Sequence, residues 1–482
     1  MKLYIINHPF HFEAENLCRL FYPDEKIEKC TEDGPLSGID VWTGVREQDG
    51  QLTYCVRTEN ITRTGAGPSD EEKNEREYRM MALLFEVLQT MSGYHPRWGM
   101  LTGVRPAKLM NHLAEELGEE QARTVFEQKY LVDADKAELA SRVARREREI
   151  TGRCARNAYS FYAAVPFCPS RCSYCSFVSH SIANAGKLIE PYTDLLCREI
   201  ELTGKIAGEC GLALESVYIG GGTPTVLSAG QISRVTQAVT DAFGTDIREF
   251  TFEAGRPDTI TAEKLAAARA GGVNRISINP QTFNDDVLRR IGRKHTAEQT
   301  VAAYELARGF DFADINMDII AGLPGDTIKS FANTMDTAIA LGPSNITVHT
   351  LALKRSSTLV ERREDVRAGA LLTDQMLELA QSKLYQAGYE PYYMYRQSRS
   401  LGNLENVGWS RPGRECTYNI YMMEESHTVL AAGAGSVTKL KDPDSDHLER
   451  IFNYKYPYEY IHSFDEMIRR KDRIIDFCRS YL

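Results

Sequence analysis

From about residue 159 onward, short apolar runs alternate with stretches whose apolar residues recur every three or four positions. The runs at 159–165, 216–219, 249–253, 274–278, 314–320 and 345–350 are strand-length, and most lead into turns rich in Gly, Pro or Asn. Helical periodicity fills the gaps at 186–208, 228–243, 262–270, 285–290 with 297–308, and 326–341. Strand–helix alternation at this spacing means right-handed crossovers and a parallel α/β sheet. Six units predict an open (β/α)6 barrel of the TIM type, whose working residues gather at the C-terminal ends of the strands.

The flanking regions have a different texture. Residues 1–7 read as a strand, 11–21 as a helix, and 39–58 as a hairpin turning at Gln48-Asp49-Gly50. Residues 62–69 read as a loop, with Ser69 and Glu72 as a capping box opening a helix over 71–90. The stretch Trp98-Gly-Met-Leu-Thr-Gly-Val-Arg-Pro reads first as a packed loop between helices and second as a binding element. Helices at 107–117, 119–129 and 134–150 complete a small N-terminal α+β domain over 1–150, ahead of a barrel domain over 155–365. A helix over 373–387 has Thr373 as a possible N-cap and Gly388 closing it. The aromatic, irregular sequence beyond it includes a strand and tight Gly turn near 429–436. Residues 366–482 are expected to form a substrate-covering module over the barrel mouth.

Composition narrows the class. With 482 residues, 43% hydrophobic and 26% charged, the chain has an ordinary globular make-up and enough length for two or three domains. No apolar run reaches the ~18 residues of a membrane span, and the first residues lack the apolar stretch of a signal peptide, so a cytoplasmic protein is expected. A net charge of −10 without a long basic run argues against nucleic acid as a partner. Of the 11 cysteines, eight are scattered (18, 30, 55, 154, 197, 210, 416, 478) and read as thiols, with Cys416 alone near polar, site-like sequence.

The other three stand in Phe-Cys-Pro-Ser-Arg-Cys-Ser-Tyr-Cys-Ser-Phe, residues 167–177. Cys168, Cys172 and Cys175 at C-x3-C-x2-C let one short loop turn three thiolates to a common point. Soft sulfur ligands suit iron–sulfur or zinc chemistry. A closed zinc site calls for a fourth ligand, usually from a second cysteine pair, so three alone point to a [4Fe–4S] cluster with one iron open. Further candidates fall at the strand ends: Gly220-Gly221-Gly222-Thr223, whose carbonyls suit an ammonium group, Glu253, Gln281, Arg293 and Asp318. For Gln281, Arg293 and Asp318 taken singly, capping or surface roles stay open.

This cysteine spacing is the signature of the radical S-adenosylmethionine (SAM) superfamily. Within it, residues 162 to about 325 resemble the oxygen-independent coproporphyrinogen III oxidases and their relatives. The matching pieces are Tyr162 before V-P-F-C-P-S-R-C-S-Y-C, then Y-I-G-G-G-T-P-T, F-T-F-E, V-N-R-I-S-I-N-P-Q-T-F, I-G-R-K-H-T and I-N-M-D-I-I-A-G-L-P-G. The N-terminal W-G-M-L-T-G-V-R-P-A-K-L is similar to the HemZ-like branch. The resemblance implies that Cys168, Cys172 and Cys175 ligate a [4Fe–4S] cluster and that Gly220, Gly221 and Gly222 meet the methionine end of SAM. It implies that Glu253, Gln281, Arg293 and Asp318 hold SAM through its amino, carboxylate and ribose groups, and that Tyr162 lines the active-site wall. An electron from a flavodoxin- or ferredoxin-type reductant would then cleave SAM to methionine and a 5′-deoxyadenosyl radical.

The implied activity is oxidative decarboxylation of coproporphyrinogen III to protoporphyrinogen IX; a monomer is expected, and Arg396, Arg399, Arg411 and Arg414 are candidate carboxylate contacts, with a solvated basic surface as the alternative for each. The sequence departs from the decarboxylating oxidases at Phe177, where they carry a fourth cysteine. Phe177 and His295 lean toward the haem-chaperone relatives of the HemW type. That alternative makes haem the ligand, with His180, His349 and Cys416 as candidate axial groups. A radical SAM enzyme acting on RNA is disfavoured by the acidic charge.

Overall fold

Among the described residues, strand pairing forms a five-stranded sheet, an eleven-stranded sheet and a two-stranded one. The computed structural model describes residues 1–175, 179–352, 366–397 and 399–482. Two units result: Met1–Ser141 with Glu364–Ala370 and Arg396–Leu404, and the remainder.

In the first unit, β1 (Lys2–Ile6) lies between β2 (Glu28–Cys30) and β3 (Val41–Gln48), parallel to both. The chain then meanders through β4 (Gln51–Arg57) and β5 (Thr62–Pro68). Asp49 and Gly50 both adopt positive φ, 51° and 74°, as the predicted two-residue hairpin turn requires. The apolar faces of β1 and β4 pack against helices His11–Phe21 and Lys73–Ser92, through Leu3, Ile5, Leu17, Phe21, Tyr54, Val56, Leu84 and Phe85.

Two expectations are corrected in this unit. Residues 62–68 form an edge strand rather than a loop, because Gly65 and Gly67 let helix Lys73–Ser92 pack closely: a Cβ on Gly65 would sit 3.2 Å from Leu83, and one on Gly67 3.1 Å from Arg79. The helix has Glu72 as its N-cap residue without a side-chain cap, so the Ser69–Glu72 box does not form. The Ser69 carbonyl instead accepts from Arg76, and Glu71 pairs with Arg79. The Trp98 loop is a packed element, as first expected. Its indole is buried under the Arg396 guanidinium, which donates to the carbonyls of Leu101 and Asn403.

In the second unit, six parallel strands follow the predicted order. They are β6 (Ala158–Val165), β9 (Ala213–Gly221), β10 (Glu249–Glu253), β11 (Arg275–Ser277), β12 (Asp314–Ala321) and β13 (Asn345–Thr350). Between β6 and β9, the short β7 (Phe167–Cys168) and β8 (His180–Ser181) pair with each other. Alternation sends Phe161, Ala163 and Val165 outward against helix Ile189–Glu209, while Tyr162 packs with the tyrosines of the barrel interior. Capping boxes at Ser228, Thr296 and Thr327 start three of the crossover helices.

The C-terminal region departs from expectation. The helix before it runs Val366–Gln386, so Thr373 is buried within it rather than capping it, while Gly388 closes it with φ of 78°. The strands that follow extend the barrel sheet at both edges. On one edge, β14 (Glu390–Arg396) follows β15 (Glu405–Ser410), which runs antiparallel to β13. On the other, β16 (Thr428–Ala432) pairs parallel to β6 and is followed by β17 (Val437–Lys441) and β18 (Leu448–Phe452). The Gly433 turn is pinned by the buried Glu199, which accepts from its backbone N–H and pairs with Lys471 at 3.0 Å.

The segment carrying Arg411 and Arg414 meets the opposite, N-terminal ends of the barrel strands. The Arg411 N–H donates to the Ser344 carbonyl, and the Arg414 carbonyl accepts from Arg275 and Asn345. Those two arginines are therefore remote from the mouth. Arg396 is spent on backbone carbonyls in the first unit, to which Arg399 also belongs. Among the described residues, no helix is long and apolar enough to cross a membrane.

Candidate functional site

At the C-terminal ends of the parallel strands, backbone hydrogen bonds stitch the cysteine loop to the glycine run. Gly222 N–H donates to Val165 O at 2.9 Å, and Thr223 N–H to Phe167 O at 2.7 Å. A Cβ on Gly222 would lie 2.5 Å from the Phe167 carbonyl, and Gly221 adopts φ of 110°, so both positions need glycine. Ser173 N–H donates to Ile291 O at 3.0 Å and ties the loop to the turn before Arg293.

Each cysteine is half-buried. The Thr223 hydroxyl lies 3.5 Å from Cys168 Sγ, and the Arg256 guanidinium 3.9 Å from Cys172 Sγ. Cys175 N–H donates to the Cys172 carbonyl at 3.2 Å. Arg293 is buried; it reaches the Tyr174 hydroxyl at 3.0 Å and the Gly255 carbonyl at 3.1 Å. Phe177, the position that departs from the decarboxylating oxidases, lies outside the described residues.

Two half-buried carboxylates face the same mouth from β10 and β12. Burial, reinforced by the Asp318 charge, pushes the Glu253 carboxyl up to about 7 against hydrogen bonds from Tyr218 and the Gly221 backbone. Burial also acts on Asp318, but hydrogen bonds from His349, Asn316 and Thr347 outweigh it and hold Asp318 below its ordinary range. Asn316 Nδ2 donates to Asp318 at 2.8 Å, and His349 Nε2 stands 3.8 Å away with its Nδ1 3.4 Å from the Tyr395 hydroxyl.

Gln281 completes this edge. Its N–H donates to the Asp318 carbonyl at 2.9 Å while its backbone holds a left-handed φ of 66°. A non-glycine residue persists there only where its surroundings over-determine it. Below the carboxylates, Tyr162, Tyr218 and Tyr418 stack with centroids 6.2 and 4.6 Å apart along the series, and the Tyr218 hydroxyl donates to Glu253.

The residues expected to hold the cluster and SAM thus fall toward one end of one barrel, whereas Arg411, Arg414 and Cys416 lie toward the other. Reading the sequence missed Tyr218, Tyr174 and Arg256, and found His349 only as a candidate haem ligand. Alternation alone would have found Tyr218, since it shares a strand face with Gly220 two residues on. Of the other haem-ligand candidates, His180 is half-buried on β8 beside the cysteine loop. Cys416 is not at the mouth: it is buried beside Glu249 at the start of β10, where burial pushes its thiol far up.

The donor set fits a thiolate-bound cluster and a cationic cofactor. Hydroxyl and guanidinium donors point at cysteine sulfurs, the glycines admit a close ligand, and a carboxyl held near 7 beside another carboxylate suits an ammonium group.

Comparison with known proteins agrees. Residues 162–338 match the Radical SAM superfamily. The oxygen-independent coproporphyrinogen-III oxidase-like protein HemZ of Bacillus subtilis is 35% identical over 97% of this chain and 96% of its own length. The heme chaperone HemW of the same organism is 30% identical, over 63% of this chain and 78% of its own. Among solved structures, the radical SAM enzyme coproporphyrinogen III oxidase (HemN) from Escherichia coli shares 25% identity and a TM-score of 0.52, covering 67% of this chain and 73% of that one.

Proposed function

We infer the function from one premise: the chain belongs to the radical SAM HemN/HemZ family, with a [4Fe–4S] cluster and SAM as its cofactors. We propose that it catalyses oxidative decarboxylation of two propionates of coproporphyrinogen III to the vinyl groups of protoporphyrinogen IX. The observation that carries this reading is the similarity to HemZ along the whole chain, both units included. The HemW relative shares only 63% of the chain.

In this reading Cys168, Cys172 and Cys175 ligate the cluster, leaving one iron for SAM. Bound together, the cluster and SAM supply the one-electron chemistry that removes a substrate hydrogen atom. The chain's own residues orient the reactants. The carbonyls of Gly220, Gly221 and Gly222, with Glu253, receive the ammonium end of SAM, and Thr223 fixes the Cys168 sulfur. Arg293 takes the carboxylate, Asp318 and Gln281 take the ribose, and Tyr162 walls the cavity. The electron comes from a flavodoxin- or ferredoxin-type protein, and the chain works as a monomer.

Anaerobic incubation of the cluster-loaded protein with SAM, a reductant and coproporphyrinogen III tests this. Protoporphyrinogen IX should accumulate with deoxyadenosine and methionine. Deoxyadenosine without a vinyl product would sink it.

A second reading, a haem-binding transfer protein, draws on His349, whose half-buried imidazole stands at the mouth between Asp318 and Tyr395, and on the HemW relatives. A stoichiometric Soret shift lost in His349→Ala, with no vinyl product, would favour it.

A further inference from the structure

Arg256 follows β10 by three residues, and its side chain is only 3% exposed. Its guanidinium is fixed by a fork: Nε donates to Asp258 Oδ1 at 2.8 Å and Nη2 to Asp258 Oδ2 at 2.7 Å. That pairing also balances its charge. The remaining nitrogen, Nη1, turns to the cysteine loop and reaches Ser170 Oγ at 3.2 Å and Cys172 Sγ at 3.9 Å. The backbone is held as well, since the Arg256 carbonyl accepts both the N–H and the hydroxyl of Thr259, at 3.0 and 2.8 Å.

With its charge met by Asp258, the buried guanidinium still directs Nη1 at the cysteine loop, to Ser170 Oγ and Cys172 Sγ. We propose that Arg256 is a positioning residue for the iron–sulfur cluster, whose hydrogen bond to the Cys172 sulfur raises the cluster's reduction potential. A donor at a ligating sulfur withdraws electron density from the iron–sulfur bond. It thereby favours the reduced state, which carries the greater negative charge. Asp258 sets the effect by fixing the fork, so geometry rather than net charge carries it. The Thr223 hydroxyl at Cys168 Sγ, 3.5 Å away, is a weaker neutral counterpart.

The test uses the reconstituted holoprotein and needs no tetrapyrrole, so it stands apart from the choice of substrate. Two variants are compared with the parent: Arg256→Lys, and the double variant Arg256→Met with Asp258→Asn, which leaves no unpaired buried carboxylate. Both should carry parental iron and sulfide per chain and bind SAM within roughly threefold of the parent. Their midpoint potentials in an anaerobic redox titration should be more negative than the parent's, the double variant's more so. The iron–cysteine sulfur stretches in resonance Raman should move to higher frequency, as expected when a sulfur loses a donor. A cluster-loaded double variant with parental midpoint and parental frequencies would overturn the proposal. So would failure of both variants to hold a cluster while their circular dichroism stays parental, which would make Arg256 an assembly residue instead.

Discussion

Glu249 and Glu253 stand at the two ends of one strand, four residues apart and on the same face, yet their surroundings differ. Glu249 accepts the backbone N–H groups of Thr417 and Tyr418 at 2.7 and 2.9 Å, the Thr417 hydroxyl at 3.0 Å and the Cys416 thiol at 3.4 Å. Its oxygens are filled by the start of helix Thr417–Glu424, which it caps from outside that helix. Glu253 receives the Tyr218 hydroxyl and the Gly221 backbone, and it faces a second carboxylate, Asp318. A carboxylate whose acceptor sites the fold has saturated is part of the architecture. One left beside another negative charge is arranged for a positive ligand. The same contrast separates the two ends of the barrel. At the N-terminal end, Arg275 pairs with Asp314, and the Arg414 carbonyl accepts from Arg275 and Asn345.

The largest effect that can test the contrast is at the mouth. Cys168→Ala, Cys172→Ala or Cys175→Ala should each reduce iron per chain and the visible iron–sulfur absorbance to background, while Cys197→Ala and Cys210→Ala leave both near the parental level. Next comes Asp318→Ala. If Asp318 meets the ribose and touches no iron, cluster content should hold while SAM affinity falls by one to two decades, the cost of about 1.5–3 kcal/mol for a charge-assisted hydrogen bond. Equilibrium binding and iron assay on one preparation check it.

A pH titration sharpens the contrast further. Without ligand, Glu253 keeps its proton up to about pH 7 against an ordinary 4.5. Its contribution to stability is therefore full below 4.5 and lost as pH rises through 7. An ammonium ligand needs the carboxylate, so SAM affinity should run the other way and rise roughly tenfold from pH 6 to pH 8. Glu253→Gln should flatten that rise. The smallest effect belongs to Tyr218→Phe. Losing the hydroxyl that lowers the Glu253 pKa should weaken SAM binding about threefold at pH 7 and move the midpoint of the pH profile upward.

Much of the mouth was legible in the residues, because a parallel barrel converts strand order into spatial order. Cysteine spacing, a glycine run and the carboxylates of β10 and β12 each kept their place along the chain, and the fold gathered them. What was not legible depended on partners distant in sequence. The edge strand at 62–68 looked like a loop because glycine is a poor strand residue until a helix packs on it. The pairing of the C-terminal strands was not legible because nothing local announces that 428–432 pairs beside 158–165, or that Glu249 receives a helix start 168 residues later. Arg256 escaped notice for a similar reason: its worth lies in a fork to Asp258 that aims one nitrogen at a sulfur 84 residues earlier.

The most direct measurement pairs the two glutamates on β10. Iron content, melting temperature and SAM affinity are taken on the same preparations of Glu253→Ala and Glu249→Ala. Glu253→Ala should keep its iron and its melting temperature and lose SAM affinity by one to two decades. Glu249→Ala should lose about 2–3 kcal/mol of stability, with SAM affinity within roughly threefold of the parent in the folded fraction. A stable, iron-loaded Glu253→Ala protein that binds SAM as tightly as the parent would contradict the account.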